Sequence, residues 1–425
     1  MGLFGSSTLL DWLETYTFPV ESAFGAQADQ IKSAAQCLDD APPSAVRIYD
    51  QVIARTLSHG TTCASYFATT HVSSTNALAA LCHSRGQRAF IGRVCMDNPD
   101  ICPAYYRDSS PEDSVTATRS TIDFVHTLDP NGTLIKPIIT PRFAPTCSGP
   151  ALDGLGKLAA EYSPPLHIQT HISENIDEVA LVRELFPQVT SYAAVYDTHQ
   201  LLTPRTILAH AVHLSAEERS LVRQRQAKIS HCPASNSALG SGICPVRTLL
   251  DEGLTVGLGT DVSGGYSPSI LEAVRQACLA SRLLGHTVAF AQNYHQPSRK
   301  EGGLHHGPPG REKISVAESL YLATRGGAAV VDMADDIGGF DCGMIWDAQL
   351  IELGAVQDAA GKILGPEPVN GLSGTHSLVP HSAVGNVDLL GSETWEEKIQ
   401  KWVWSGDDRN VKAVWVGGRL VHSRS

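Results

Sequence analysis

Short apolar runs alternate with helical stretches along most of the chain. Runs at 61–68, 88–95, 134–140, 166–170, 206–209, 228–231 and 255–259 are rich in Val, Ile, Leu and Thr, and they lack strict polar alternation. A strand with one wet face alternates, so this pattern predicts parallel strands covered on both faces. Between them, 45–57 places Val46, Tyr49, Ile53 and Leu57 on one helical stripe, and 114–128, 151–161, 174–185, 216–225 and 270–284 read as further helices. Ser215 ahead of Ala216-Glu217-Glu218 has the makings of an N-cap with acidic residues in the first turn. Strand and helix repeating in this way indicate an α/β fold built on a parallel sheet. Seven strand–helix units are present, whereas a closed barrel of this kind needs eight strands. A helix-like 9–16 opens the chain with no strand ahead of it, so the expected gap is the first strand.

The pattern changes after Leu284. Residues 293–313 hold Pro297, Gly302, Gly303, Pro308, Pro309 and Gly310 with His295, His305 and His306, and they read as a long surface loop. Gly/Pro surroundings hold metal ligands poorly, so these histidines are set aside. Residues 314–329 read as a helix. Strand-like 348–353 and 411–421, the latter with a Gly417-Gly418 turn, predict a small β-rich region. The expected division is an incomplete barrel over 1–338 and a C-terminal β-rich region over 339–425 that ends in a helix/strand segment.

Composition narrows the function. With 32 Lys and Arg against 44 Asp and Glu, the formal net charge is −12, which disfavours a nucleic-acid or anionic-membrane surface and favours a small-molecule substrate. No apolar run is long enough to cross a bilayer. None of the ten cysteines forms a CxxC pair, so a reducing, cytoplasmic setting without a disulfide framework is expected. Gly2 with Ser6 fits a permissive acylation pattern and is read as incidental, and Asn131-Gly132-Thr133 is read as a turn rather than a glycosylation site.

Candidate chemistry gathers at the ends of four consecutive predicted strands. His167-Ile168-Gln169-Thr170-His171-Ile172-Ser173-Glu174 ends one strand and opens a helix, His210 ends the next, His231 the third, and Asp261 follows the fourth. A lone His or Asp at a strand end is often only a turn residue. Four in succession place imidazoles and carboxylates at one barrel rim, where barrel enzymes keep their reactive groups. An imidazole binds a borderline metal, and a carboxylate three residues on moves protons.

The motifs are more specific than the pattern. His171-x-x-Glu174, Ser230-His231-Cys232-Pro233-Ala234-Ser235-Asn236 and Gly257-Leu258-Gly259-Thr260-Asp261-Val262-Ser263-Gly264-Gly265 resemble the guanine deaminases of the amidohydrolase superfamily. So do Trp12 in its Leu-Leu-Asp-Trp-Leu context, Gly86-Gln87-Arg88-Ala89-Phe90, Thr140-Pro141-Arg142-Phe143 and Gly406-Asp407-Asp408-Arg409-Asn410, and the resemblance runs from about residue 9 to about residue 421. It implies a TIM-like (β/α) barrel of amidohydrolase type, here missing its first strand. It also implies one Zn²⁺ held by an HxH pair on that strand, by His171 and by Asp261. His210 would hold the attacking water, Glu174 would move protons to the ring, and Asp261 would serve as a base. Arg142 and Phe143 would orient the purine, with Trp12 and His171 beside it and His231 in the catalytic group.

The chain departs from the family in two places. No two histidines stand two residues apart, and Ala234 replaces the family's Asn. With the HxH pair absent, His171, His210 and Asp261 become the expected three-ligand zinc set. Three functions follow as expectations. The first is hydrolytic deamination of guanine or a related amino-heterocycle. The second is a metal-less descendant in which Glu174, the histidines and Asp261 perform elimination, isomerisation or cyclisation. The third is a non-catalytic partner of a full-length relative. Two open barrel edges need cover, so a homodimer or a mixed oligomer with such a relative is expected.

Overall fold

The computed structural model describes residues 2–25, 40–287, 310–354 and 386–424, together with the backbone of 356–357 and 363–364. Strands β1 (Cys63–Phe67), β2 (Arg88–Gly92), β3 (Val94–Cys95), β4 (Ile135–Pro141), β5 (His167–Ile172), β6 (Thr206–His210), β7 (Lys228–His231) and β8 (Val256–Leu258) form one parallel sheet. Its order is β1-β2-β4-β5-β6-β7-β8, and β3 continues the line of β2 past Arg93 to pair with the far end of β4. The sequence reading of seven strand positions in an α/β fold therefore holds. It treated β2 and β3 as one strand.

The register sets Ile168 beside Thr206, Ile207 beside Lys228 and Ile229 beside Val256. The strands are buried because helices cover the sheet: Ile139, Ile168, Leu208, Ile229 and Val256 share a core with Leu152, Leu155, Val195 and Leu249. Burial of each such side chain contributes about 1.5–3 kcal/mol. β2 and β6 are buried throughout, whereas every residue of β1 is only half-buried. Among the described residues, the outer edges of β1 and β8 pair with no other strand of the sheet. On β8, Gly257 lies so close to the helix Gly327–Val330 that an added Cβ would stand 2.9 Å from the Gly327 Cα.

Helix Val72–Arg85 escaped the periodicity reading. It is buried nearly all round, including Ser73, Ser74, Thr75 and Asn76, so it carries no polar stripe. The predicted helix at 9–16 extends to Ser22 through a π turn, Leu13–Thr17, and buries Leu9, Leu13 and Phe18 against Val94, Met96, Tyr106 and Phe143. The predicted helix at 314–329 likewise contains a π turn, Leu322–Gly326, between Val316–Tyr321 and Gly327–Val330. At the end of the barrel where the strands begin, Asp332 accepts from His167 at 2.9 Å and from the Lys228 ammonium. This ties the starts of β5 and β7 together.

Beyond the barrel, β9 (Ala348–Ile351) is followed by a short antiparallel pair, β10 (Val356–Gln357) and β11 (Ile363–Leu364). A helix, Trp395–Ser405, then leads to β12 (Val411–Val416) and β13 (Arg419–Ser423), and β13-β12-β9 form an antiparallel sheet. Gly417 and Gly418 make its turn with φ of 57° and 79°, which side-chain-bearing residues adopt reluctantly. The Asn131-Gly132-Thr133 segment is a turn, closed by the Gly132 N–H on the Asp129 carbonyl at 2.9 Å. The predicted loop lies outside the described residues over 293–309. The nine described cysteines are free, and no described helix is long and apolar enough to cross a membrane.

Candidate active site

The ends of β5, β6 and β8 carry unusual backbone. Ser173, His210, Ala211 and Asp261 all have positive φ, between 46° and 72°, a region that costs a side-chain-bearing residue energy and is retained where function demands it. This backbone brings three predicted residues together. The His210 Nε2 stands 3.4 Å from a Glu174 carboxylate oxygen and 3.9 Å from one of Asp261. The imidazoles of His171 and His210 stack with centroids 5.3 Å apart and planes 20° from parallel.

Each imidazole is oriented from behind. His171 Nδ1–H donates to the Arg142 carbonyl at 2.6 Å, and His210 Nδ1–H donates to the Asn236 side-chain oxygen at 2.8 Å. Both Nε2 atoms are thereby left for chemistry or for a metal. Glu174 is held from both ends. Its N–H donates to Glu178 at 2.7 Å, and its carboxylate accepts from the Ser241 hydroxyl at 3.0 Å. Glu178 is the N3 residue of a capping box opened by Asn175, and Tyr192 donates to its other oxygen at 2.7 Å.

Burial controls the proton affinities. It pushes His171 down to about 3, helped by the nearby His210. It pushes Glu174 up to about 7, with Asp261 and Glu178 acting in the same direction. On His210 burial opposes the charge, but the carboxylates of Glu174 and Asp261 outweigh it and raise the pKa. A buried carboxyl poised near neutrality beside an imidazole is suited to giving and taking protons.

A cavity of about 680 Å³ is lined by Trp12, Arg142, Phe143, His171, Glu174 and Asp261, among others, whereas buried His210 lies behind them, with its neighbour Ala209 on the wall. Trp12 donates its indole N–H to the Leu3 carbonyl at 2.9 Å and turns its ring toward Phe4. Phe143 is buried, so its ring forms wall rather than surface. His231 ends β7 as expected but sits behind the wall: Ser230 and Cys232 border the cavity, and the His231 Nδ1 is buried with no partner. Ala234 is buried in the short helix Pro233–Ala238. Sequence reasoning missed Glu21, Glu178 and Ser241. The Asn175-x-x-Glu178 spacing of a capping box was a readable signal for Glu178, whereas nothing local marks Glu21 or Ser241.

The donor chemistry fits a zinc ion in part. Two stacked imidazoles with anchored Nδ1 atoms and one carboxylate, Asp261 at 3.9 Å from the His210 Nε2, are the donor types that bind this metal. Among the described residues, no three of His, Cys, Asp or Glu are closed around a single point.

The amidohydrolase family model matches residues 1–421. The chain is 45% identical over 413 residues to a probable guanine deaminase of Schizosaccharomyces pombe, covering 97% of this chain and 66% of that protein. It is 37% identical over 417 residues to the guanine deaminase of Homo sapiens, covering 97% of this chain and 77% of that one. Among solved structures, the guanine deaminase of E. coli superposes with a TM-score of 0.77 at 28% identity, covering all of this chain and 81% of that chain. That of C. acetobutylicum, with guanine bound in its active site, gives 0.75 at 29% identity over 99% of this chain and 83% of that chain.

Proposed function

We propose, since this chain belongs to the amidohydrolase family and to its guanine deaminases, that it catalyses hydrolytic deamination of guanine or a closely related amino-heterocycle. The reaction replaces the exocyclic amino group by oxygen from water and releases ammonia. The observation that carries this reading is the Glu174–His210–Asp261 cluster, whose two carboxylates line a cavity walled by Arg142 and Phe143.

Each group has a role that its environment suits. Phe143 offers an apolar face to the purine ring, and Arg142 offers N–H donors to a ring carbonyl. Water enters beside Glu174 and Asp261, which line the cavity, and the His210 Nε2 stands 3.4 and 3.9 Å from their carboxylates. Glu174, with its pKa near 7, takes one proton from that water and gives it to a ring nitrogen, then takes the second proton from the new hydroxyl as the C=O forms and gives it to the amine, which leaves as ammonia. Asp261 serves as a second base. His171, His210 and Asp261 are the residues that would hold Zn²⁺, and the ion would supply Lewis acidity that makes water nucleophilic near neutral pH.

Purified protein supplied with zinc should release ammonia from guanine and carry about one zinc per chain. Glu174→Gln should lower kcat by about 10²–10⁴-fold, the usual worth of a proton shuttle. Zinc-loaded protein that binds the metal but leaves guanine intact would sink the reading. A second reading is favoured by the open ligand set: acid–base chemistry without metal, by the same Glu174, on another small molecule. Turnover that survives a chelator and is lost in Glu174→Gln would select it.

A further inference from the structure

The Arg142 guanidinium does not face the cavity alone. Its two terminal nitrogens donate side by side to the two carboxylate oxygens of Glu21, at 2.7 and 3.0 Å. Glu21 comes from the last turn of the N-terminal helical segment and lines the cavity with Arg142 and Phe143. Its carboxylate also accepts from the Tyr106 hydroxyl at 2.6 Å, and that hydroxyl accepts from the Thr70 N–H at 3.2 Å. Phe18, one turn before Glu21, lies 5.3 Å from the guanidinium carbon. The pair is only slightly exposed, at 10% for the Arg142 side chain and 22% for that of Glu21.

This geometry does two things. A parallel two-point bond fixes the plane of a guanidinium, which one contact would leave free to swivel. It uses one N–H on each terminal nitrogen, so three of the five donors remain. It also cancels the arginine's charge inside a poorly solvated wall, where an uncompensated cation would attract anions strongly.

We propose that Glu21 is the positioning and specificity-determining partner of Arg142, orienting its free N–H donors and neutralising it so that the pocket takes a neutral purine in preference to an anionic one. This rests on the guanine reading of the pocket. Tyr106 and Thr70 hold the carboxylate in place from behind, and Phe18 closes the remaining face of the guanidinium. A purely structural Glu21 would only dock the N-terminal helix on the barrel, and its loss would affect all ligands alike.

The test compares guanine with urate, which is a monoanion at neutral pH, in the zinc-supplied full chain. In Glu21→Gln, KM for guanine should rise about tenfold with kcat changed less than about threefold, while urate inhibits about tenfold more tightly. Tyr106→Phe keeps the carboxylate and should shift both constants the same way by about threefold, so it serves if Glu21→Gln fails to fold. Guanine and urate affinities that move in step, or a fall in kcat at constant KM, would overturn the inference. Calorimetric binding of both purines reads the same selectivity without turnover. If wild type binds guanine but does not deaminate it, the functional reading fails and this inference still stands or falls on the selectivity ratio. Wild type that binds neither purine overturns both.

Discussion

At the scale of single residues, the site depends on what stands behind its reactive groups. Ser241 is the donor that fixes Glu174: its hydroxyl reaches the carboxylate at 3.0 Å, and both groups are buried. A hydrogen bond to a buried charged group is worth about 1.5–3 kcal/mol. Ser241→Ala should therefore lower kcat for guanine by about tenfold and leave KM within about twofold, because the substrate wall is untouched. A rise in KM at constant kcat would instead place Ser241 against the substrate. This residue also marks how far a sequence can be read. His171, Glu174, His210 and Asp261 were legible because each follows an apolar run that ends where barrel chemistry sits. Ser241 lies 67 residues from Glu174, and Glu21 lies 121 residues from Arg142, and pairings across such distances leave no local pattern.

At the scale of elements, the sheet is held at both ends by different means. At the ends of the strands, a capping box on the helix Ile176–Leu185 grips the Glu174 backbone through Glu178. At their starts, Asp332 bridges His167 of β5 and Lys228 of β7. Burial works against the Asp332 charge, but His167 and Lys228 outweigh it and hold its pKa down at about 2, below its ordinary value of 3.8. A lowered carboxylate pKa contributes stability above the unfolded value, and that contribution is lost as pH falls through the folded value. Asp332→Asn should therefore destabilise the fold at neutral pH by about 1 kcal/mol, discounted because the side chain is a third exposed. The deficit should shrink as pH falls from about 4 toward 2. Asn also tolerates the φ of 57° at this position, so the variant isolates the charge. Chemical denaturation across that range measures it, and a deficit independent of pH would show that Asp332 acts through packing. The strands themselves were legible from their apolar runs. Helix Val72–Arg85 was not, because burial on every side removes the stripe by which an amphipathic helix is recognised.

At the scale of the whole molecule, the two ends of the sheet order pose the remaining physical problem. An unpaired strand edge presents a row of N–H and C=O groups that water, a loop or another chain must satisfy. β1 is half-buried at every position and lines the site cavity along its length, while its neighbour β2 is buried throughout. The segment leading into β9 and β9 itself add apolar surface, since Phe340, Trp346 and Leu350 are all more than half exposed among the described residues. Apolar side chains in that state commonly mark contact with another protein. We propose a homodimer, which would cover both and, if stable, bury at least about 1,200 Å² in total. Sedimentation equilibrium at micromolar concentration should then give twice the chain mass, and Trp346→Lys should shift it toward the monomer. A monomer at every concentration would mean that the edges of β1 and β8 are satisfied within one chain. A protein that dimerises only when mixed with a full-length guanine deaminase would mean instead that the partner is the relative rather than a second copy.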